Sequence, residues 1–337
     1  MKTKVLGKDF KVSAIGLGCM GMTHGFGDAA NPDEMIEVIR GAYQAGITMF
    51  DTAECYQGVG VDGQILYNED LVGTALSIYP RDSYQIATKC GIKVVNNEQV
   101  LDARPEVIRA SLAGSLKRLK TDYVDLYYLH RVDPNTPIET VAMVMKELMV
   151  EGKIKHWGLS EAGIETIKKA HAICPLTVVE SEYSMIFREP ENNGLLKTLQ
   201  ELQIGFVPFA PLGKGFLTGT IASNQSFPVN DTRSKQPRFK KKNMQANQIL
   251  IDLIEKIVTK KQATPAQIAL AWVMAQGDYI VPIPGSRKLS RIKENIQATE
   301  IKFTAQELSK IKEALDKMEL QALRWDPDST MAKRVGR

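Results

Sequence analysis

The sequence lacks the features that would place it in several large classes of protein. Its four cysteines (Cys19, Cys55, Cys90 and Cys174) form no CxxC pair and no zinc-ligand spacing. That pattern excludes a disulfide scaffold or zinc module and reads as free thiols in a reducing compartment. No apolar run approaches the ~20 residues that a membrane-spanning helix needs. The opening MKTKVLGKDF has no hydrophobic signal core, so a cytoplasmic protein is expected. A net charge of only +4 over 337 residues makes neither nucleic acid nor membrane the partner, yet suits an anionic ligand. Low-complexity tracts, linkers and breaks in composition are missing too, so a single domain spanning residues 1–337 is expected. Oligomers are compatible with the sequence, and no metal site is assigned.

What is present is an alternation. Hydrophobic content of 44% and charged content of 24% are ordinary for a globular chain. Thr3–Leu6 and Phe10–Ala14 flank the turn-forming Gly7-Lys8-Asp9 and read as a hairpin. Apolar runs of strand length follow at Ala14–Gly18, Ile47–Asp51, Tyr84–Lys89, Tyr123–His130, His156–Ser160, Leu176–Glu182, Ile204–Ala210 and Tyr279–Ile283. Segments of helical period lie between them: Met35, Ile39 and Ala42 share one face, as do Ile108, Leu112, Leu116 and Leu119. Asn31-Pro32-Asp33-Glu34, Thr136-Pro137-Ile138-Glu139 and Thr264-Pro265-Ala266-Gln267 each read as a cap, a first-turn proline and a capping-box partner. Gly46, Gly152 and Gly277 are expected to end helices in the left-handed conformation. Eight buried-looking strands separated by helices imply an α/β fold with a parallel sheet. Its natural closed form is a (β/α)8 TIM barrel, with the N-terminal β-hairpin as a plug and a C-terminal extra helix and tail.

Two segments stand outside the alternation. Gln57–Tyr67 reads as a Gly-rich loop, and Gly213–Asn247 as a long, structure-poor stretch, either lid or disorder. Both belong at the C-terminal mouth, where such barrels place their sites. Gly16-Leu17-Gly18-Cys19-Met20-Gly21 matches GxGxxG, but a dinucleotide fold needs a helix at the last glycine. Here the helix start comes about ten residues later, so the glycines read as close packing of the first strand.

Asp51, Tyr56, Lys89 and His130 share a position just past the second, third and fourth strands. A phenol with a reference pKa of about 10 is a poor acid; a nearby ammonium is expected to lower it. Asp51 can pair with and orient Lys89. Tyr56 can then give a proton to a carbonyl oxygen as hydride arrives at carbon, while His130 hydrogen-bonds the same oxygen. Nothing suits a Ser-His-Asp triad.

These residues, with IGLGCMGM, ITMFDTAECY, IATKCG, DLYYLHRVDPNTPIE, EGKIKHWGLSEAG, GFVPFAPLGKGFLTG, ATPAQIALAW and VPIPGSRKLSRIKENI, resemble the aldo-keto reductase superfamily over essentially the whole chain. The resemblance is nearest to its perakine-reductase-like and auxin-induced-protein-like branch. It implies a barrel that binds NADPH/NADP+ across its mouth and reduces a small-molecule carbonyl substrate. By motif, Asp51, Tyr56, Lys89 and His130 fall on the catalytic four, with Tyr56 the proton donor and Tyr56 and His130 facing substrate. The resemblance places Cys19, Met20 and Asp51 beside the cofactor and Ser160 and Glu180 at its carboxamide. Phe209 falls on the nicotinamide, and Ala210, Pro211, Leu212, Gly213, Lys214 and Gly215 along the pyrophosphate. Gly285, Ser286, Arg287, Arg291, Glu294 and Asn295 match the adenosine and 2′-phosphate end. Donors and positive charge at Ser286, Arg287, Lys288 and Arg291, beside a helix N-terminus, suit an extra phosphate.

One departure is Glu180, where a Gln is usual. An ionised carboxylate accepts from an amide but cannot donate to it, so weaker nicotinamide binding or a displaced Glu180 is expected. The basic run Arg238–Lys242 reads as solvated surface. Trp325, in the tail Arg324–Arg337, reads as a pocket wall or barrel packing. Cys19, Cys55 and Cys90 near the mouth suggest oxidation sensitivity, with a metal site involving His24 or His130 the weaker reading. The functional expectation is an NADP-dependent reductase of aldehydes or ketones. The alternatives are a cofactor-binding regulatory subunit like the potassium-channel β-subunits, and an NAD-dependent alcohol dehydrogenase, which Arg287 and Arg291 disfavour.

Overall fold

The structure, a computed structural model, describes residues 1–60, 63–95 and 98–336. Val61 and Asp62 of the Gly-rich loop, and Arg337 of the tail, lie outside the described residues. The opening hairpin forms from β1 (Thr3–Leu6) and β2 (Phe10–Ser13). β3 (Leu17–Gly18) and β4 (Met49–Asp51) begin a parallel sheet. A second hairpin follows, β5 (Gln57–Val59) with β6 (Ile65–Tyr67), then β7 (Gln85–Cys90). A third pairs β8 (Ile92–Val95) with β9 (Glu98–Leu101). β10 (Val124–Leu129), β11 (Ile154–Ser160), β12 (Val178–Glu182) and β13 (Gly205–Phe209) complete a seven-stranded sheet. Its order is β3-β4-β7-β10-β11-β12-β13, every neighbouring pair parallel, with helices between strands.

The eighth run, Tyr279–Ile283, bridges both edges without forming a regular ladder. Phe206 N donates to Tyr279 O at 2.8 Å and Val281 N to Phe206 O at 2.9 Å. On the other side Gly16 N donates to Pro282 O at 3.0 Å. Pro282 and Pro284 have no N–H to give, so toward the first strand this segment only accepts, while Val281 N and Ile283 N donate toward β13. The closure is tight. A Cβ on Gly18 would lie 2.8 Å from Ile283 O, and one on Gly285 would lie 2.7 Å from Gly18 O. That explains the GxGxxG run: a short turn at Met20–Met22 follows it, and the first helix starts at Pro32.

Side chains two apart on a strand share a face. Met49, Ala87, Leu126, Tyr128, Val178 and Val207 pack into one core with Val281 and Ile283, joined by Leu6, Phe10 and Val12 of the first hairpin. A Cβ on Gly205, the first residue of β13, would lie 2.7 Å from Leu6 Cβ, so the hairpin plugs the N-terminal end. The alternate residues Tyr127, Leu129 and Leu159 join a second core with the helices. Met35, Ile39, Ala42, Ile108, Leu112 and Leu119 are buried there, and Leu116 is half-buried.

The caps divide. Asn31 accepts from Asp33 N and Glu34 N, and Thr264 with Gln267 forms a full capping box. Thr136 does not cap: its hydroxyl donates to Asp133 Oδ2 at 3.0 Å, and the helix Ile138–Val150 starts behind an uncapped Pro137. Gly46 and Gly152 are left-handed as expected. Gly277 is not; it makes room for the Tyr279 ring, which a Cβ would meet at 2.5 Å. The Gln57–Tyr67 stretch is a hairpin, and Gly213–Asn247 is built of short 3-10 turns and the helix Lys241–Ala246. Phe216, Leu217, Phe239 and Met244 anchor it in the core, which explains why a stretch without helical period is ordered. The extra helix Ala305–Asp316 and the tail complete the chain.

Candidate active site

Moving two residues further along the inward faces replaces apolar side chains with reactive ones. Met49 gives way to Asp51, Ala87 to Lys89, Tyr128 to His130, Val178 to Glu180 and Val207 to Phe209. Strand period therefore sets a layer of polar groups directly above a dry core. Lys89 is fully buried; its ammonium bonds Asp51 Oδ1, donates to Thr52 O at 3.0 Å and lies 3.5 Å from Glu180 Oε2. The same nitrogen lies 5.1 Å from the Tyr56 ring centroid and 5.6 Å from that of Tyr128. His130 meets Tyr56 edge-on, ring centroids 5.6 Å apart, and its Nδ1 lies 3.4 Å from Cys55 Sγ. That contact fits either tautomer; the one with the thiol as donor carries the imidazole proton on Nε2. The four expected catalytic residues thus converge.

Burial governs their protonation. It works against the charge on Lys89, but the fields of Asp51, Glu180 and Tyr56 outweigh it and hold the ammonium above its ordinary pKa. Burial, with Arg131, Lys89 and His24 adding to it, pushes His130 well below its usual value, so the ring is neutral. The expected lowering of Tyr56 does not occur. Burial outweighs Lys89, and Asp51 and Glu180 push the same way, so the phenol keeps its proton more firmly than in water. Burial raises Asp51 against the pull of Lys89, and raises Glu180 to about 8 with Asp51 reinforcing it and Lys89 and Arg131 opposing. A Glu180 raised in this way holds its proton more readily, and the protonated acid can donate as well as accept, as the usual Gln does. Burial also pushes the Cys55 and Cys90 thiols up to about 12. All four cysteines are buried, so the thiolate that oxidation requires is scarce and the expected oxidation sensitivity loses its chemical basis.

The residues assigned to a dinucleotide line the same mouth. Cys19 is buried, its N–H donating to Asp51 O at 2.8 Å, and Met20 packs beside Tyr56. Ser160 Oγ accepts from Arg131 Nη1 at 3.0 Å. Past Phe209, Ala210, Gly213, Lys214 and Gly215 all take positive φ, folding the chain into a tight cradle around Pro211 and Leu212. Lys214 is desolvated there and its pKa falls to about 7, although Glu182 draws it upward. Gly285 abuts Gly18, and Ser286 bonds Lys288 N. The Arg287 guanidinium donates to Gly21 O and Asp28 O, which holds it against the turn after the first strand. Arg291 pairs with Glu294 at 2.7 Å, and Asn295 is buried behind them. The helix Leu289–Gln297 has no side-chain cap; Arg291 N and Ile292 N both donate to Lys288 O.

Sequence reasoning missed a buried ion cluster beside the mouth. Arg238 Nη1 lies 2.6 Å from Glu182 Oε1, and Arg324 Nε lies 2.6 Å from Glu182 Oε2. Arg324 also bonds Glu161 and stands 5.1 Å from the Phe209 ring centroid. Arg238 is thus core, while Lys240, Lys241 and Lys242 of the same basic run are exposed. The cluster pins both the long loop and the tail, and it puts Trp325 5.5 Å from Lys214 Nζ. Trp325 therefore stands at the mouth. A Glu two residues beyond Glu180 and one after Ser160 was the only sequence signal.

The chain was compared with known proteins. Residues 14–316 match the profile of the aldo/keto reductase family. A curated relative named probable aldo-keto reductase 1, from Glycine max, is 43% identical over 307 residues, 91% of this chain and 86% of its own length. Among solved structures, the glycerol dehydrogenase AKR11B4 from Gluconobacter oxydans superposes with a TM-score of 0.84 at 26% identity, covering 97% of this chain and 98% of that one. A thermostable aldo-keto reductase, Tm1743, in complex with the inhibitor epalrestat, gives 0.74 at 28% identity, with coverage of 93% and 100%.

Proposed function

Because the chain belongs to the aldo/keto reductase family, an oxidoreductase family that acts on carbonyls with nicotinamide cofactors, we propose that it reduces aldehydes or ketones with NADPH, Tyr56 delivering the proton, and that residues 1–337 act as one catalytic domain. The observation carrying this reading is the buried layer in which Lys89, held by Asp51, stands against Tyr56 while His130 meets the same ring. Ser160 and Glu180 would hold the carboxamide, the cradle at 210–215 with Lys214 the pyrophosphate, and Ser286, Lys288 and Arg291 the 2′-phosphate. The left-handed turns at 210–215 and the desolvated Lys214 among them fit such a ligand. When bound, NADPH supplies the hydride.

The protein's own part is protonic and electrostatic. Tyr56 bears its proton firmly at rest and gives it up only as negative charge builds on the substrate oxygen. Lys89 stabilises the phenolate left behind. Neutral His130 donates to the same oxygen and holds it near Tyr56. Asp51 fixes the ammonium and is not itself a proton donor to substrate. NADPH and NADH oxidation against a panel of aldehydes and ketones, with Tyr56→Phe as control, tests this. Turnover is expected with NADPH in preference to NADH, falling about 10²–10⁴-fold in Tyr56→Phe while NADPH binding persists. Full activity in Tyr56→Phe would overturn the acid assignment. Tight NADPH binding without turnover on any carbonyl would favour the regulatory-subunit alternative.

A further inference from the structure

The charge count around Lys89 does not balance. One ammonium faces two carboxyl groups, Asp51 and Glu180, and all three side chains are at most 4% exposed. Asp51 is in direct contact with the ammonium and Glu180 Oε2 is at 3.5 Å, so Asp51 has the stronger claim to the negative charge. Written as two carboxylates, the pair leaves Asp51 Oδ2 and Glu180 Oε2 buried without a donor. A proton on Glu180 eases both faults: it brings the charge count around the shared Lys89 ammonium into balance and turns one of two groups that can only accept into a donor. The other groups acting on this pair are Arg131, just past β10, the phenols of Tyr56 and Tyr128, and the buried Cys19 thiol, raised by burial and by Asp51. Arg131 already donates to Ser160 Oγ and His130 O, and Tyr128 is buried in the core.

We propose that the Asp51–Lys89–Glu180 cluster stores one proton, resident on Glu180, and releases it to solvent when an oxidised, cationic nicotinamide occupies the mouth. The inference rests on the reading that the nicotinamide lies beside Tyr56. A cationic ring there favours ionised Glu180, whereas the neutral reduced ring does not. The step moves no electrons: the carboxyl O–H breaks, Glu180 becomes a carboxylate and the proton passes to buffer. By linkage, whatever expels a proton binds more tightly as pH rises. Glu180 is thus a positioning residue that sets the balance between the two cofactor forms, with low pH favouring the reduced form and reduction.

Calorimetric titration of the whole protein with NADP+ and with NADPH, between pH 7 and 9.5 and in two buffers of different ionisation enthalpy, tests this. The 2′-phosphate, with a second pKa of about 6, is common to both ligands and already ionised. NADP+ affinity is expected to rise about five- to tenfold from pH 7 to 9, with proton release greatest toward pH 7, where free Glu180 still holds its proton, and fading by pH 9. NADPH is expected to show neither effect, and Glu180→Gln to abolish both for NADP+. Equal pH slopes for the two dinucleotides overturn the proposal, as does an unchanged slope in Glu180→Gln. The wild-type contrast decides the matter even if the variant does not fold. Failure of both dinucleotides to bind would instead remove the cofactor reading, and the proposal with it.

Discussion

A buried lysine depends entirely on its partners. Lys89 has no solvent to hydrate it, and it survives as a cation because the Asp51 carboxylate stands directly against it. Lys89→Met keeps the approximate shape and removes the charge. Turnover is expected to fall at least ~10²-fold. The folded state should lose about 3–5 kcal/mol, since Asp51 is left buried without a cation. Urea unfolding checks this, and adding Asp51→Asn should restore part of the stability but none of the activity. A single variant as stable as wild type would show that the cluster is not the buried ion set described. Tyr56 carries the lesson of this scale. The sequence put an ammonium beside a phenol but could not say that burial and two acids would outweigh it.

Elements that close the barrel are held by a few residues each. Phe10 of the hairpin plug is 3% exposed in the inner core. Phe10→Ala is expected to cost about 3–5 kcal/mol in chemical denaturation while kcat per folded molecule stays within twofold of wild type. A drop in kcat at full folding would mean the plug reaches the site. The tail is a different case. Arg324 joins Glu161 and Glu182, and Arg238 joins Glu182, so loop and tail share one buried anion. Arg324→Met is expected to speed proteolysis within residues 318–336 and to raise the KM for cofactor, because Trp325 and the loop holding Lys214 lose their common anchor. Unchanged protease sensitivity would show the tail is secured elsewhere. None of this was legible beforehand: Arg238 sat in a run of lysines, and only the fold shows that it turns inward.

At the scale of the molecule, two glutamates two residues apart bend the pH–stability curve in opposite senses. Glu182 is buried, which works against its charge, but Arg238 and Arg324 prevail and hold it below its ordinary value. The stability it contributes is present above about pH 4.3 and drains away as pH falls through its folded pKa. Glu180 is raised, so between roughly pH 4.3 and 8 the folded state binds more protons than the unfolded, and unfolding becomes easier as pH rises. In thermal unfolding from pH 5 to 9, the Tm of wild type should therefore fall relative to that of Glu180→Gln as pH rises. A Tm profile unaltered by that variant would mean Glu180 titrates normally. Saturating NADPH, at about 100 times its Kd, should add about 2.7 kcal/mol.

The sequence by itself determined the barrel. Strand-length apolar runs, legible helix starts and glycines at the closing seam are local patterns, and local patterns survive in one dimension. It also determined the layer of Asp51, Lys89, His130 and Glu180, because a period of two carries an inward face from core to mouth. The tertiary structure alone decided which charges are solvated. Burial is a property of neighbours distant in the chain, and Glu161 and Arg324 are 163 residues apart. The protonation of Tyr56 and Glu180, the inward turn of Arg238 and the anchoring of loop and tail all follow from how much water those distant neighbours exclude.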